Sequence, residues 1–169
     1  RRQRQMYIRD RDTMRTQPFI LAMQAEGREW VTTFSEAARN SFDYVFTDAM
    51  TFLDHKGRRT HLWVNKEVII DDEQAYMDMM LDRICSVLEE PVDMYVNSCF
   101  LPYAMSDRYD MFWTEERIDR FVNALAKSGK ALEINELYHI PNKAIIQKAK
   151  AAGVKSVSYT HLTRPTNRE

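Results

Sequence analysis

Short apolar runs alternate with longer stretches of helical period along this chain, and that alternation limits it to few folds. The runs FILAMQAE (19–26), DYVFTDAM (43–50), VDMYVN (92–97) and KALEIN (130–135) read as strands, and Val154 begins a fifth. Between them lie four helical segments. SEAARNS (35–41) is capped by Ser35. In 71–90, Tyr76, Met80, Ile84 and Leu88 recur every fourth residue, with Met77 and Leu81 beside them, so one face is core. TEERIDRFVNALAKS (114–128) has Thr114 as its cap and Gly129 as its stop. PNKAIIQKAKAAG (141–153) has Pro141 at its first position and Gly153 at its end. Strand, helix, strand, helix is the pattern of βα units and a parallel sheet, with right-handed crossovers. The candidates are an open doubly wound sheet or a (β/α) barrel. The chain has only four glycines and no glycine-rich turn after any strand, which argues against a dinucleotide or P-loop site and favours a barrel. A barrel carries its sites at the carboxyl ends of its strands. DHKGRR (54–59), between MTFL and THLWV, predicts a small hairpin. SCFLPYAMSDRYDMFW (98–113) and NELYHI (135–140) read as loops.

The composition narrows the classes further. With 169 residues, 44% apolar and 29% charged, the chain can bury a real core. A net charge of −1 gives no sign of a nucleic-acid or membrane partner, and no apolar run approaches the roughly 20 residues of a membrane span. Cys85 and Cys99 lack metal-type spacing and read as reduced thiols rather than a disulfide or zinc pair. Both ends break the pattern. The chain opens RRQRQ without an initiator Met, and residues 2–15 read as the surface end of a helix whose arginines interleave with Asp10 and Asp12. The tail SVSYTHLTRPTNRE resembles a translated sequencing adapter. The expected division is therefore a domain over 1–155 and a non-native tail over 156–169, with His161 not counted as a ligand. The expected location is the cytoplasm, with the true amino terminus missing.

Alternate residues of a strand share a face. In the first strand Ile20, Ala22, Gln24 and Glu26 form one face, small and then polar, while Phe19, Leu21 and Met23 form the other. In the fourth, Ala131, Glu133 and Asn135 oppose Leu132 and Ile134. Thr47 and Asp48 fall near the end of the second strand and Asn97 ends the third. Four strands thus finish in a carboxylate or carboxamide at one end. Such an oxygen-rich set suits a divalent metal, a polyol or a phosphate. A carboxylate ending so apolar a strand leaves two readings for Glu26: the strand stops short of it, or it sits at the rim of a site. Arg28 either pairs with Glu26 or holds an anionic substrate group. His139 follows the fourth strand and can reach the mouth, whereas His55 and His61 belong to the hairpin surface.

LAMQAEGREW, FDYVFTDAMTF, VDMYVNSCFLP and ALEINELYHIP, in this order and spacing, resemble the polymerase and histidinol phosphatase (PHP) superfamily, and more closely its PHP-like predicted metal-dependent hydrolases of bacteria. The similarity covers residues from about 5 to about 155, and EGREW and LEIN with the following Tyr138 and Pro141 are its most specific parts. It implies a distorted seven-stranded (β/α) barrel, of which this chain would hold about five strands, and a phosphoesterase using divalent Mn, Zn or Fe. It implies Glu26 as a metal ligand, with Asn97 at a ligand position, and Glu133 and Asn135 lining the site. The departures are specific. Met50 and the pair Asn97 and Ser98 stand where typical members carry histidines, and the first and last metal motifs would lie outside this chain. Met is a poor and Asn a weak ligand for hard ions.

The functional expectation is a fragment of a metal-dependent hydrolase acting on a small phosphoester or sugar phosphate, the fragment itself being inactive and, with unpaired sheet edges, prone to associate. His139 and Glu133 are the expected acid and base, Glu26 and Asn97 the metal residues, and Arg28, Asn135, Trp30 and Tyr138 the substrate residues. The competing expectation is a non-catalytic barrel that binds a sugar or phosphate. Trp30, Trp63, Trp113 and Tyr138 suit stacking on a sugar face, and rim packing explains them equally well.

Overall fold

The computed structural model describes residues 20–159, and the expected helix over 2–15 and His161 fall outside them. The fold is α/β, with a five-stranded parallel sheet and a separate two-stranded hairpin. The parallel strands are β1 (Ala22–Ala25), β2 (Tyr44–Thr47), β5 (Met94–Tyr95), β6 (Ala131–Asn135) and β7 (Ser156–Tyr159). They lie side by side in chain order, β1-β2-β5-β6-β7. The hairpin is β3 (Thr51–Leu53) and β4 (Arg59–His61), paired antiparallel with Thr51 opposite His61. All five expected strands and the expected hairpin are present, and each strand is shorter than its apolar run. β1 stops at Ala25, so Glu26 lies one residue beyond it. β7 consists wholly of residues from the expected non-native tail and still pairs in register with β6, Leu132 opposite Ser156 and Asn135 opposite Tyr159.

The helices are α1 (Trp30–Thr33), α2 (Glu36–Arg39), α3 (Glu73–Val87), α4 (Tyr103–Ser106), α5 (Tyr109–Phe112), α6 (Glu115–Ser128) and α7 (Lys143–Ala151). Capping explains where the longer ones begin. The side chains of Asp72, Thr114 and Asn142 accept from the backbone N–H of Ala75, Arg117 and Ile145. Gly129 closes α6 at φ 70°, a left-handed conformation that a side chain would strain. Two sequence readings need correction. Residues 98–113, read as loop, contain α4 and α5, whose four-residue lengths carry too little period to be seen. Pro141 precedes the cap of α7 instead of occupying its first turn, because Asn142 supplies the side-chain acceptor.

One large apolar core joins the sheet to α3, α6 and α7. The stripe Tyr76, Met77, Met80, Leu81, Ile84 and Leu88 is buried throughout, against Ile118, Phe121, Val122 and Leu125 of α6 and Ile145 and Ala149 of α7. From the sheet, Tyr95 and Leu132 enter this core, with the Tyr95 and Phe121 rings 6.1 Å apart. A smaller cluster at the β1 side holds Met23, Ala25, Trp30, Val45 and Val92. These strand residues alternate with Gln24, Tyr44, Phe46, Met94 and Glu133, which line a cavity of about 640 Å³ on the other face, where Val157 and Tyr159 of β7 join them. The helix face and the open face follow from the period of two expected in each strand. No helix among the described residues is long and apolar enough to cross a membrane.

Candidate functional site

The carboxyl ends of β2, β5 and β6 converge on four polar side chains, Asp48, Asn97, Glu133 and Asn135. Register brings them together. Phe46 pairs with Met94 and Tyr95 with Leu132, so the residues just beyond each strand end are neighbours. Asn97 is the hub. Its backbone N–H donates to Glu133 Oε2 at 2.7 Å, its Nδ2 donates to Asp48 Oδ2 at 3.3 Å, and its Oδ1 accepts from Asn135 Nδ2 at 3.4 Å. Asp48 and Glu133 are each 6% exposed and Asn135 is 2% exposed. Burial pushes the Asp48 carboxyl above its usual range. The Met50 N–H and the Asn97 amide offset this only in part, and the nearby Glu26 charge adds to it.

Backbone conformation marks the same end of the sheet. Asn97 has φ 48°, Cys99 φ 67° and His139 φ 53°, and these are the only non-glycine residues with positive φ among those described. All three follow β5 or β6. Asn adopts this region readily, whereas Cys does so at a cost, a pattern that gathers where function over-determines the backbone.

Each residue singled out in the sequence has a definite place. Glu26 is exposed, and its Oε1 accepts from the Thr51 hydroxyl of the hairpin at 3.1 Å. Arg28 meets neither Glu26 nor open solvent alone. Its Nη1 donates to Glu90 Oε1 at 2.7 Å, and its Nη2 donates to the Thr47 hydroxyl at 3.1 Å and the Asp48 carbonyl at 2.8 Å. The same Glu90 accepts from the indole of Trp30 at 2.8 Å, and Trp30 is buried in the smaller apolar cluster. Burial outweighs Arg28 and Trp30 in setting the Glu90 carboxyl above its usual range. Asn135 accepts from the N–H groups of Leu137 and Tyr138, which folds the 135–140 turn; Tyr138 is exposed and stands edge-on to Phe100, and His139 is exposed. Trp113 is buried in the large core, and Trp63 packs on His61. The cluster therefore unites Glu133, Asn97 and Asn135, while Arg28 and Trp30 form a second group around Glu90.

Two participants carried no assigned role in the sequence reading. Asp48 had a signal: Phe46 faces the cavity, so alternation returns Asp48 to the same side. Glu90 had none, because its bond to Arg28 joins residues 62 apart in the chain. Among the described residues no three His, Cys, Asp or Glu are grouped as a metal requires. The cluster offers a buried carboxyl, Asp48, raised above its usual range by burial and bonded to the Asn97 carboxamide, which in turn accepts from Asn135. No protein-family model, curated protein or solved structure matches this chain.

Proposed function

We propose that the sheet is part of a (β/α) barrel of the PHP-like kind and that the Asp48, Asn97, Glu133 and Asn135 cluster is the substrate site of a hydrolase for small phosphoesters or sugar phosphates. The observation that carries this is the meeting of those four side chains at the carboxyl ends of three neighbouring parallel strands, the position where barrels place their chemistry. Strand order in chain sequence supports the barrel over the doubly wound alternative, whose order reverses at a switch point. A Mn, Zn or Fe ion would need ligands from outside the described residues alongside Glu26. Asp48 holds or releases a proton near the substrate, since burial favours its neutral form. Glu133 fixes the Asn97 turn, the two carboxamides orient polar groups of the substrate, and exposed His139 is the second acid or base.

The test is metal content of the protein beside a Glu26→Gln variant, followed by a phosphoester screen. Stoichiometric Mn, Zn or Fe that drops in the variant supports the hydrolase. Metal-free protein in both sinks it.

A second reading is a barrel that binds a sugar or sugar phosphate without turnover. It draws on the cavity of about 640 Å³ on the same face, where Tyr44 and Phe46 accompany Gln24, Asn97 and Glu133. Aromatic faces beside amide and carboxylate groups suit a sugar ring. Sugar binding that persists without metal and without product favours it.

A further inference from the structure

A second concavity, of about 340 Å³, lies where the residues after β1 meet the hairpin and the last turns of α3. Its size is at the lower end of small-molecule sites, roughly 300–1,000 Å³. Ala49, Phe52, Leu53 and Val87 give it an apolar lining. Its charged lining is unbalanced: three guanidinium groups, Arg28, Arg59 and Arg83, against one carboxylate, Glu29. The three arginines are not equivalent. Arg28 is committed to Glu90, Thr47 and the Asp48 carbonyl. Arg59 pairs with Glu29. Arg83 donates to the Leu53 carbonyl at 3.2 Å and has no ion pair among the described residues. Gly27 shapes the rim. It has φ 70°, and a Cβ there would stand 2.8 Å from Glu29 Oε2, so glycine lets Glu29 fold back, accept from the Arg28 N–H at 3.2 Å and reach Arg59.

The strand-end cluster presents the carboxylates Asp48 and Glu133 among carboxamides. This pocket presents guanidinium groups and an apolar wall. We infer that it binds a small organic anion, a carboxylate or phosphate monoester with an aromatic or branched apolar body. The head sits on Arg83 and Arg59, and the body lies against Phe52 and Val87. Guanidinium groups suit both heads, because their forked donors match planar or tetrahedral oxyanions. This inference stands apart from the hydrolase reading and survives its failure.

The experiment is titration calorimetry of the full chain with phenyl phosphate, benzoate, inorganic phosphate and benzyl alcohol. Phenyl phosphate and benzoate are expected to bind at least ten-fold tighter than inorganic phosphate or benzyl alcohol. Arg83→Ala is expected to weaken phenyl phosphate by about ten-fold or more, the scale of one charge-assisted hydrogen bond, with partial recovery in Arg83→Lys and no change in Arg120→Ala. Arg83 is exposed on α3, so its variants keep the fold, which circular dichroism checks. Equal affinity in Arg83→Ala, inorganic phosphate binding as tightly as phenyl phosphate, or loss confined to Asp48→Asn would each overturn the assignment.

Discussion

On one face of the parallel sheet, Tyr95 and Leu132 sink into a core shared with α3, α6 and α7; on the other, Gln24, Phe46 and Glu133 look onto a cavity. The two faces share a backbone and differ only in the parity of their residues. The helix face gains from every apolar atom it hides, and its stability is spread over many contacts. At the carboxyl end the open face concentrates buried carboxylates and amides, whose cost is offset by hydrogen bonds to one another and to nearby backbone N–H groups. One face is built to hold the fold. The other keeps polar groups in an arrangement that folding alone does not favour.

Substitutions on the two sides should separate them. The largest effect is expected for Phe121→Ala, which removes a fully buried ring between Tyr95 and Trp113, at about 3–5 kcal/mol in urea unfolding. A loss under about 1 kcal/mol would mean that the helix face is not where the stability resides. Glu90→Ala comes next. It strips Arg28 and the Trp30 indole of their shared acceptor and should cost about 2 kcal/mol by the same measurement. Asp48→Asn should act in the opposite direction. Because burial raises the Asp48 pKa, ionising it opposes folding. That penalty is absent below the usual carboxylate range of about 4 and grows as the pH rises toward the raised value. The variant should therefore melt like the wild type near pH 4 and higher than it at pH 8. A variant less stable at pH 8 would show that the charge is wanted for the fold and not for the site. The smallest effect is expected for Arg120→Ala, which breaks an exposed 2.5 Å pair with Asp82, at about 0.5 kcal/mol.

The helix face was the legible one. The four-residue stripe of α3 and the Thr114 and Gly129 limits of α6 are local signals, and the structure follows them. Strand parity was legible as well, since the period of two alone puts Gln24 and Glu133 on the faces that carry the polar strand ends. The gathering of polar strand ends at one side was legible too, but which of those groups meet was not. Whether Asn97 meets Asp48 depends on the β2 and β5 register and on a left-handed φ at Asn97, and neither leaves a mark in the sequence. The Arg28 and Glu90 pair is hidden for the same reason, since distant charges are matched by the fold and not by spacing. The helices α4 and α5 were missed because a single turn has no period to display.

The order of the parallel strands has a consequence for how the molecule forms. Each parallel strand docks beside the parallel strand that precedes it in the chain, so no strand waits for a partner synthesised much later. A chain emerging from the ribosome can add one βα step at a time onto an edge already in place. In such a growth sequence the newest edge is always the least protected. Hydrogen exchange during refolding should then label β7 longest and the β1–β2 pair least.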